Sequence, residues 1–396
     1  MHRRQLLQLF GGLAVGGLAR LRAQPRTRRR IVVAGGGIIG ASIAYHLARR
    51  GASVRVLEKT APAAGATQNS FAWINAGFSK RPREYYRLNH LSMLAYRQLA
   101  LDLGDDLPVQ WGGSLAWSDR AEATARLERQ VRARQAWGYP VHLVDDAEFR
   151  RLEPGVVRAT ASPAVHATEE GNVDPVAATL ALLAAAEAAG AEVEYPCEIT
   201  GLDLSAGGLT GVTTTQGPFE ADALVIAAGV ATPRLAALAG LDVPLKESPG
   251  LLAHTDPADR SVGRVVLAPG AHVKQKHNGR FVVGAGLGET AVADNPDEAP
   301  PTDTSAERGR RMLEAAARVI PAIAGATLDR VTLGFRPLPR DNYPVVGFAE
   351  RQPDVYLAVM HSGMTLAPLV GRLAAQEILD DVRVDLLEPY RVERFG

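Results

Sequence analysis

From residue 31 onward, short apolar runs alternate with longer stretches in which apolar and charged positions mix. IVVA (31–34) carries no polar side chain and predicts a short strand of the buried type. ASIAYHLARRG follows as a helix ending at Gly51, and SVRVLEK as a second strand. Far downstream, FEADALVIAAG (219–229) predicts a further strand, and VATPRLAALAG the helix after it. VYLAVMHSGMTLAPLVGRLAAQEIL (355–379) predicts a strand, a turn and a closing helix. Between these lie stretches of another kind. QWGGSLAWSD is an aromatic, glycine-rich strand, and AEATARLERQVRARQAW an arginine- and alanine-rich helix. GRVVLAPGAHVKQKHNGRFVVGAG alternates apolar strands with turns, and Asn278-Gly279 is a hairpin signal that makes this sheet antiparallel. DNPDEAPPTDTS is a polar, proline-rich loop before the helix AERGRRMLEAAARVI. The pattern predicts an α/β chain, α+β when counted as a whole.

The junction of the first strand and helix carries G-x-G-x-x-G. Gly35 serves a tight turn, Gly37 lets the backbone approach a pyrophosphate, and Gly40 lets helix and strand pack closely. Phosphates then sit on the helix N-terminus. Glu58 lies 18 residues past Gly40, at the end of the second strand, where it can accept hydrogen bonds from a ribose diol. Gly36, Ile38 and Lys59 complete this candidate dinucleotide site. A second fingerprint is absent, because GAGLGE (284–289) lacks its third glycine and reads as a strand end and turn.

Composition refines the reading. Residues 1–30 hold eight arginines and no acid, which leaves 36 basic against 43 acidic residues afterwards, a net charge of −7. Nucleic acid is therefore not an expected partner. The uncharged run Leu6–Ala19 has fourteen residues, fewer than the roughly 20 that span a bilayer, so no transmembrane helix is expected. Arg3 and Arg4 ahead of this run resemble a twin-arginine export signal. Residues 1–30 are accordingly read as a signal segment, and the protein as periplasmic or secreted, with a cytoplasmic location as the alternative. Cys197 is the sole cysteine, so neither a disulfide nor a cysteine zinc site can form, and no histidine cluster has metal spacing.

Taken in order, the fingerprint, EEGNVDPVAATLALLAAAEAAGAEV, FEADALVIAAG, GFRPLPRD (334–341) with YPVVG, and MHSGMTLAP (360–368) resemble the D-amino-acid oxidase-like FAD-dependent oxidoreductases. Glycine oxidase, sarcosine oxidase and D-amino-acid dehydrogenase belong to that family. The resemblance runs from about residue 31 to 385. It implies a Rossmann-like FAD-binding domain in three pieces (31–104, 160–240, 331–396) and an antiparallel-sheet substrate domain (105–159, 241–330). It implies FAD rather than NAD. Covalent attachment, which in some sarcosine oxidases uses a cysteine before the last FAD segment, is not expected with Cys197 as the only thiol.

The resemblance also assigns site residues. Arg336, in GFRP, stands where relatives bind the substrate carboxylate, and a planar guanidinium suits that task; the alternative is a structural ion pair. The amides of Gly363, Met364 and Thr365, at a helix N-terminus, would stabilise negative charge on a reduced flavin. His361 either lines the pocket or satisfies backbone groups. Thr67, Asn69 and Ser70 fall in a loop that in relatives passes near the cofactor, while Trp73 packs in the core or walls the pocket. Ile199, Ala228 and Gly229 join the cofactor set. Glycine oxidase has a second arginine near the closing helix, and here none occurs between Gln352 and Arg372. His272 and His277 flank the hairpin and read as solvated. The implied reaction is oxidation of a C–N bond in an amino acid or secondary amine, with oxygen or a quinone taking the electrons. A hydroxy-acid or polyol-phosphate dehydrogenase and a non-catalytic flavoprotein are the alternatives.

Overall fold

The computed structural model describes residues 29–77, 80–285 and 302–396. Residues 1–28 of the export-signal segment, Phe78 and Ser79, residues 286–289 of GAGLGE and the first part of the proline-rich loop lie outside the described residues, whereas Arg30, read as the end of that segment, is the first residue of a strand. Strand β1 (Arg30–Ala34) is an inner strand of a six-stranded sheet, with β2 (Ser53–Leu57) on one side and Ala223–Ile226 on the other, all parallel. Glu192–Glu194 extends the sheet beyond β2; Gln352–Val359 and then the antiparallel Val345–Ala349 extend the opposite side. Side chains alternate across a strand, so Ile31 and Val33 enter one core while Val32 and Ala34 enter another. Both faces are covered, and the run therefore needs no polar position. Full burial of Ile31 and Val33 contributes roughly 1.5–3 kcal/mol each.

Helix α1 (Ile38–Arg49) and the helices Pro175–Ala188 and Gly363–Asp380 build the first core. The closing helix lies against α1 almost backbone to backbone: Ser42 Oγ donates to the Ala367 carbonyl at 2.7 Å, and a Cβ on Gly371 would meet Ser42 Oγ at 2.2 Å. A three-stranded antiparallel sheet (Ile199–Ser205, Gly208–Thr214, Gly217–Glu220) shares the second core.

A second, eight-stranded sheet is antiparallel except where Val265–Ala268 runs parallel to Ser114–Ala116. The expected hairpin forms within it, Ala271–Gln275 pairing with Arg280–Ala285. Helix Ala306–Ala317 covers it, with Leu313 and Ala316 in a third core beside Phe281 and Val283.

The pairing departs from the sequence reading in two places. Ala164–Ala167 and all of Leu328–Phe335 belong to the large sheet, so the domain pieces meet at about 168 and 336 rather than 160 and 331. Short strands such as AVHA carry too little pattern to reveal which sheet recruits them. FEADALVIAAG is two strands, because Asp222 turns out of the ladder to accept the Arg30 amide at 2.8 Å.

Three ties link the large sheet and its loops to the nucleotide half. Glu170, 1% exposed, accepts from Trp73 Nε1 (2.9 Å) and the Gly77 amide (3.2 Å) on one side and from Ser114 Oγ and Tyr139 OH (both 2.6 Å) on the other. Burial raises its pKa, and these four hydrogen bonds oppose the rise. Asp174 caps helix Pro175–Ala188 through one carboxylate oxygen and binds Lys276 Nζ (2.8 Å) through the other. The fully buried Lys274 donates to the Val173 carbonyl at 2.9 Å, and burial pushes its amine down to about 7.

Candidate active site

A cleft of about 1430 Å³ runs from the end of β1 to the GFRP segment. That exceeds the several hundred to about 1,000 Å³ of a pocket for one drug-sized ligand, and leaves room for a dinucleotide and a substrate together.

At one end the walls are backbone. Gly35 has φ +113°, and a Cβ there would lie 2.5 Å from the Ala227 carbonyl oxygen. A Cβ on Gly40 would come within 1.9 Å of the Gly35 oxygen, so α1 can approach the turn only with glycine at this position. Gly37 is the N-cap of α1 and offers no side chain. The Ile38 amide is instead met by Thr67 Oγ1, from the following loop, at 3.2 Å. Glu58 turns toward the cradle: one carboxylate oxygen accepts the Gly36 amide (2.8 Å), the other the Thr60 amide (2.9 Å) and hydroxyl (3.1 Å). An ionised carboxylate accepts up to about four hydrogen bonds, which leaves capacity for a ribose. Lys59, Ile199, Ala228 and Gly229 line the same stretch, and Gly229 takes φ +57° after the strand Ala223–Ile226. The structure thus brings together all the residues expected at the nucleotide end.

At the other end the walls are side chains. Arg336 follows the strand Leu328–Phe335 and is fixed by the neighbouring strand: its amide donates to the Ser248 carbonyl (2.9 Å), its guanidinium to Ser248 Oγ (3.2 Å) and the Pro249 carbonyl (3.1 Å). Among the described residues no carboxylate pairs with it, contrary to the alternative of a structural ion pair. Burial lowers its pKa. Gly334 permits the approach of the loop carrying Thr67, Asn69 and Ser70, since a Cβ there would lie 2.6 Å from the Asn69 Cβ.

Gly363, Met364 and Thr365 open the closing helix, whose first amides have no partner within the helix. Its N-cap is Ser362, held at φ +60° with no capping hydrogen bond from its own side chain. That hydroxyl is instead a hub. It accepts from Lys80 Nζ and from Tyr85 OH (3.2 Å), and bonds His361 Nδ1 (3.1 Å). The exposed surface of the imidazole is cleft wall. Its depth there, then Lys80 and then Arg336, push its pKa down to about 3, so His361 is neutral and cannot titrate near pH 7. Its partner is a side chain rather than the backbone. Thr365 does more than offer an amide: its hydroxyl accepts the Asn75 amide and donates to the Trp73 carbonyl, both at 3.2 Å. Trp73 lines the cleft while its indole is anchored on Glu170.

Lys80, Tyr85, Ser248 and Ser362 were missed by sequence reasoning. SKRPREYY carries no periodic or motif signal, and only the doubled basic residues beside an aromatic pair set it apart. His272, read as solvated, lies in the cleft edge-on to Phe71 at 4.7 Å, because the hairpin strand turns alternate residues toward the first domain. Among the described residues no group of acids, histidines and cysteine could hold a metal, and no helix is long and apolar enough to cross a membrane.

A parallel sheet whose inner strand ends in a glycine cradle, joined to a large sheet that supplies side chains to the far end of the same cleft, defines a dinucleotide-dependent oxidoreductase. More particularly, the chain belongs to the FAD dependent oxidoreductase family, whose model matches residues 30–377. It is 27% identical to a glycine oxidase of Bacillus licheniformis over 93% of this chain and 98% of that one. It is also 27% identical to one of the subunits of an opine oxidase from Agrobacterium tumefaciens, over 92% of this chain and 97% of that one. The crystal structure of glycine oxidase from Geobacillus kaustophilus superposes with a TM-score of 0.82 at 26% identity, covering 92% of this chain and 99% of that one. The residues present fit FAD: the glycine cradle and α1 would hold its phosphates, Glu58 its ribose, and the opening turn of the closing helix the electron-accepting ring.

Proposed function

We propose that the protein oxidises the C–N bond of an amine that carries a carboxylate. FAD, when bound, supplies the two-electron acceptor for this chemistry. The observation that carries the reading is Arg336, a guanidinium in the cleft wall that is braced by Ser248 and Pro249 and meets no acid among the described residues. Its free edge suits a two-pronged contact with a carboxylate, which sets the adjacent carbon in a fixed place. Burial, the main cause that keeps His361 neutral, with Lys80 and Arg336 adding to it, acts on the substrate too: in this part of the cleft an ammonium is disfavoured and the free amine, the form from which hydride can leave, is favoured. Because Ser362 Oγ already accepts from Lys80 and Tyr85, its hydroxyl donates to His361 Nδ1, and the neutral ring is left with Nε2–H as a donor. The resulting imine takes up water to give a carbonyl compound and the released amine.

The relatives named glycine oxidase and opine oxidase support the C–N reading. We further propose that the cofactor is held without a covalent bond, since Cys197 is buried beside Ile199 at the nucleotide end, and that residues 1–30 export the folded protein. Electrons pass to oxygen or to a quinone. The test is anaerobic addition of glycine, sarcosine, proline and D-amino acids to the purified protein. Bleaching of the flavin absorption by an amino acid supports the reading; bleaching only by hydroxy acids refutes it. Acid precipitation should release all of the flavin into the supernatant.

A further inference from the structure

The catalytic end of the cleft holds a second cation that the reaction just proposed does not require. Lys80 comes from the loop before helix Arg83–Leu103, and its side chain lines the cleft though the residue is only 6% exposed. Its backbone is clamped: the buried Arg134 donates to the carbonyls of Lys80 (2.8 Å) and Gly77 (3.0 Å). Its ammonium meets Ser362 Oγ and stands 5.3 Å from the centre of the Tyr85 ring. No carboxylate pairs with it among the described residues. An ammonium has three donors, and one is used.

Among the described residues, the acids lining the cleft lie elsewhere. Glu58 and Glu198 flank the nucleotide end, and Glu247 is an exposed residue beside Ser248. Keeping a buried cation unpaired is unfavourable. Holding it there with a second arginine suits a site whose counter-charge arrives with the ligand. Arg336, at the end of a strand of the large sheet, is the other such cation in the wall of the same cleft, where Lys80 meets Ser362 beside His361.

We propose that the substrate carries two carboxylates, one on Arg336 and one on Lys80, with the oxidised C–N bond between them: an amino acid bearing a second carboxylate on its nitrogen or side chain. This rests on the carboxylate-amine reading above and narrows it.

The experiment is calorimetric titration of the FAD-loaded protein with unreactive thioethers: thiodiacetate, its one-carbon-longer homologue, and the monocarboxylate methylthioacetate. The wild type should bind one of the diacids at least about tenfold more tightly than the monoacid, the value of one added charge-assisted contact. Lys80→Met should abolish that preference and change the monoacid Kd by less than about threefold, while Lys80→Arg should keep the preference. Lys80→Gln, which retains a donor to Ser362, serves the same purpose if the methionine variant does not hold flavin. Equal weakening of diacid and monoacid by these variants, or no preference in the wild type, overturns the proposal, since Lys80 would then share the carboxylate of Arg336 or only brace Ser362. If Arg336→Met leaves all three affinities unchanged, the carboxylate-amine reading fails as well, and the two failures are distinguishable.

Discussion

The two ends of the cleft are made of different material. The nucleotide end is mostly backbone, centred on three glycines and the start of α1, with the carboxylate of Glu58 turned toward them. The catalytic end is side chains collected from four separate segments, with Lys80, Ser248, Arg336 and His361 as representatives. Backbone recognition suits a constant part of a ligand, because amides and a helix terminus hold phosphate whatever surrounds them. Side-chain recognition suits a variable part, because one substitution changes what is accepted.

The sharpest way to break this contrast is Gly40→Ala. The added carbon has no room against the Gly35 oxygen, and overpacking of this kind costs about 1–3 kcal/mol or more. We expect purified protein without flavin absorption and with a lowered Tm; a yellow, stable variant would show the cradle to be looser than its glycine contacts imply. Arg336→Met should act at the other end alone. KM for the substrate should rise by about a hundredfold, as for loss of a paired charge-assisted contact, with flavin content unchanged. Arg336→Lys should restore only part of this, since an ammonium cannot make the two-pronged contact. Glu58→Gln should weaken FAD by roughly tenfold, one to two charged hydrogen bonds, measured by titrating the apoprotein, and leave KM alone.

The smallest effect is expected from His361→Asn in the pH profile. Because the imidazole pKa lies near 3, the ring stays neutral from pH 5 upward and contributes no limb to kcat/KM there. The acid limb belongs to the substrate amine and should keep its position in the variant. A limb near pH 6 that vanishes with the substitution would mean that His361 titrates and serves as a base.

The same contrast explains what could be read from the sequence. Gly35, Gly37, Gly40 and Glu58 are legible because steric rules force glycine into a fixed spacing around a strand and helix. Arg336 and the opening of the closing helix were legible only through resemblance, since an arginine before a proline has many ordinary uses. Lys80 was not legible at all. Its place depends on Arg134 gripping a loop some fifty residues away in sequence, and no local pattern encodes such a contact. Ser248 escaped for the same reason: it meets Arg336 only because Pro249 pairs with Phe335 across two strands. The sheet boundaries shifted where strands of four residues gave periodicity too little length.

The shared carboxylate of Asp174 has a dynamic consequence. One oxygen ends a helix of the nucleotide half and the other grips Lys276 of the large sheet, while Lys274 and Glu170 are buried on either side. Swinging the halves apart would take Lys276 from that carboxylate and strip partners from a buried amine and a buried carboxylate together, a combination far steeper than any single contact. The frame is therefore stiff against hinge opening. Ingress and egress fall to short loops and side chains at the mouth, so turnover should be paced by local motions rather than by domain swing.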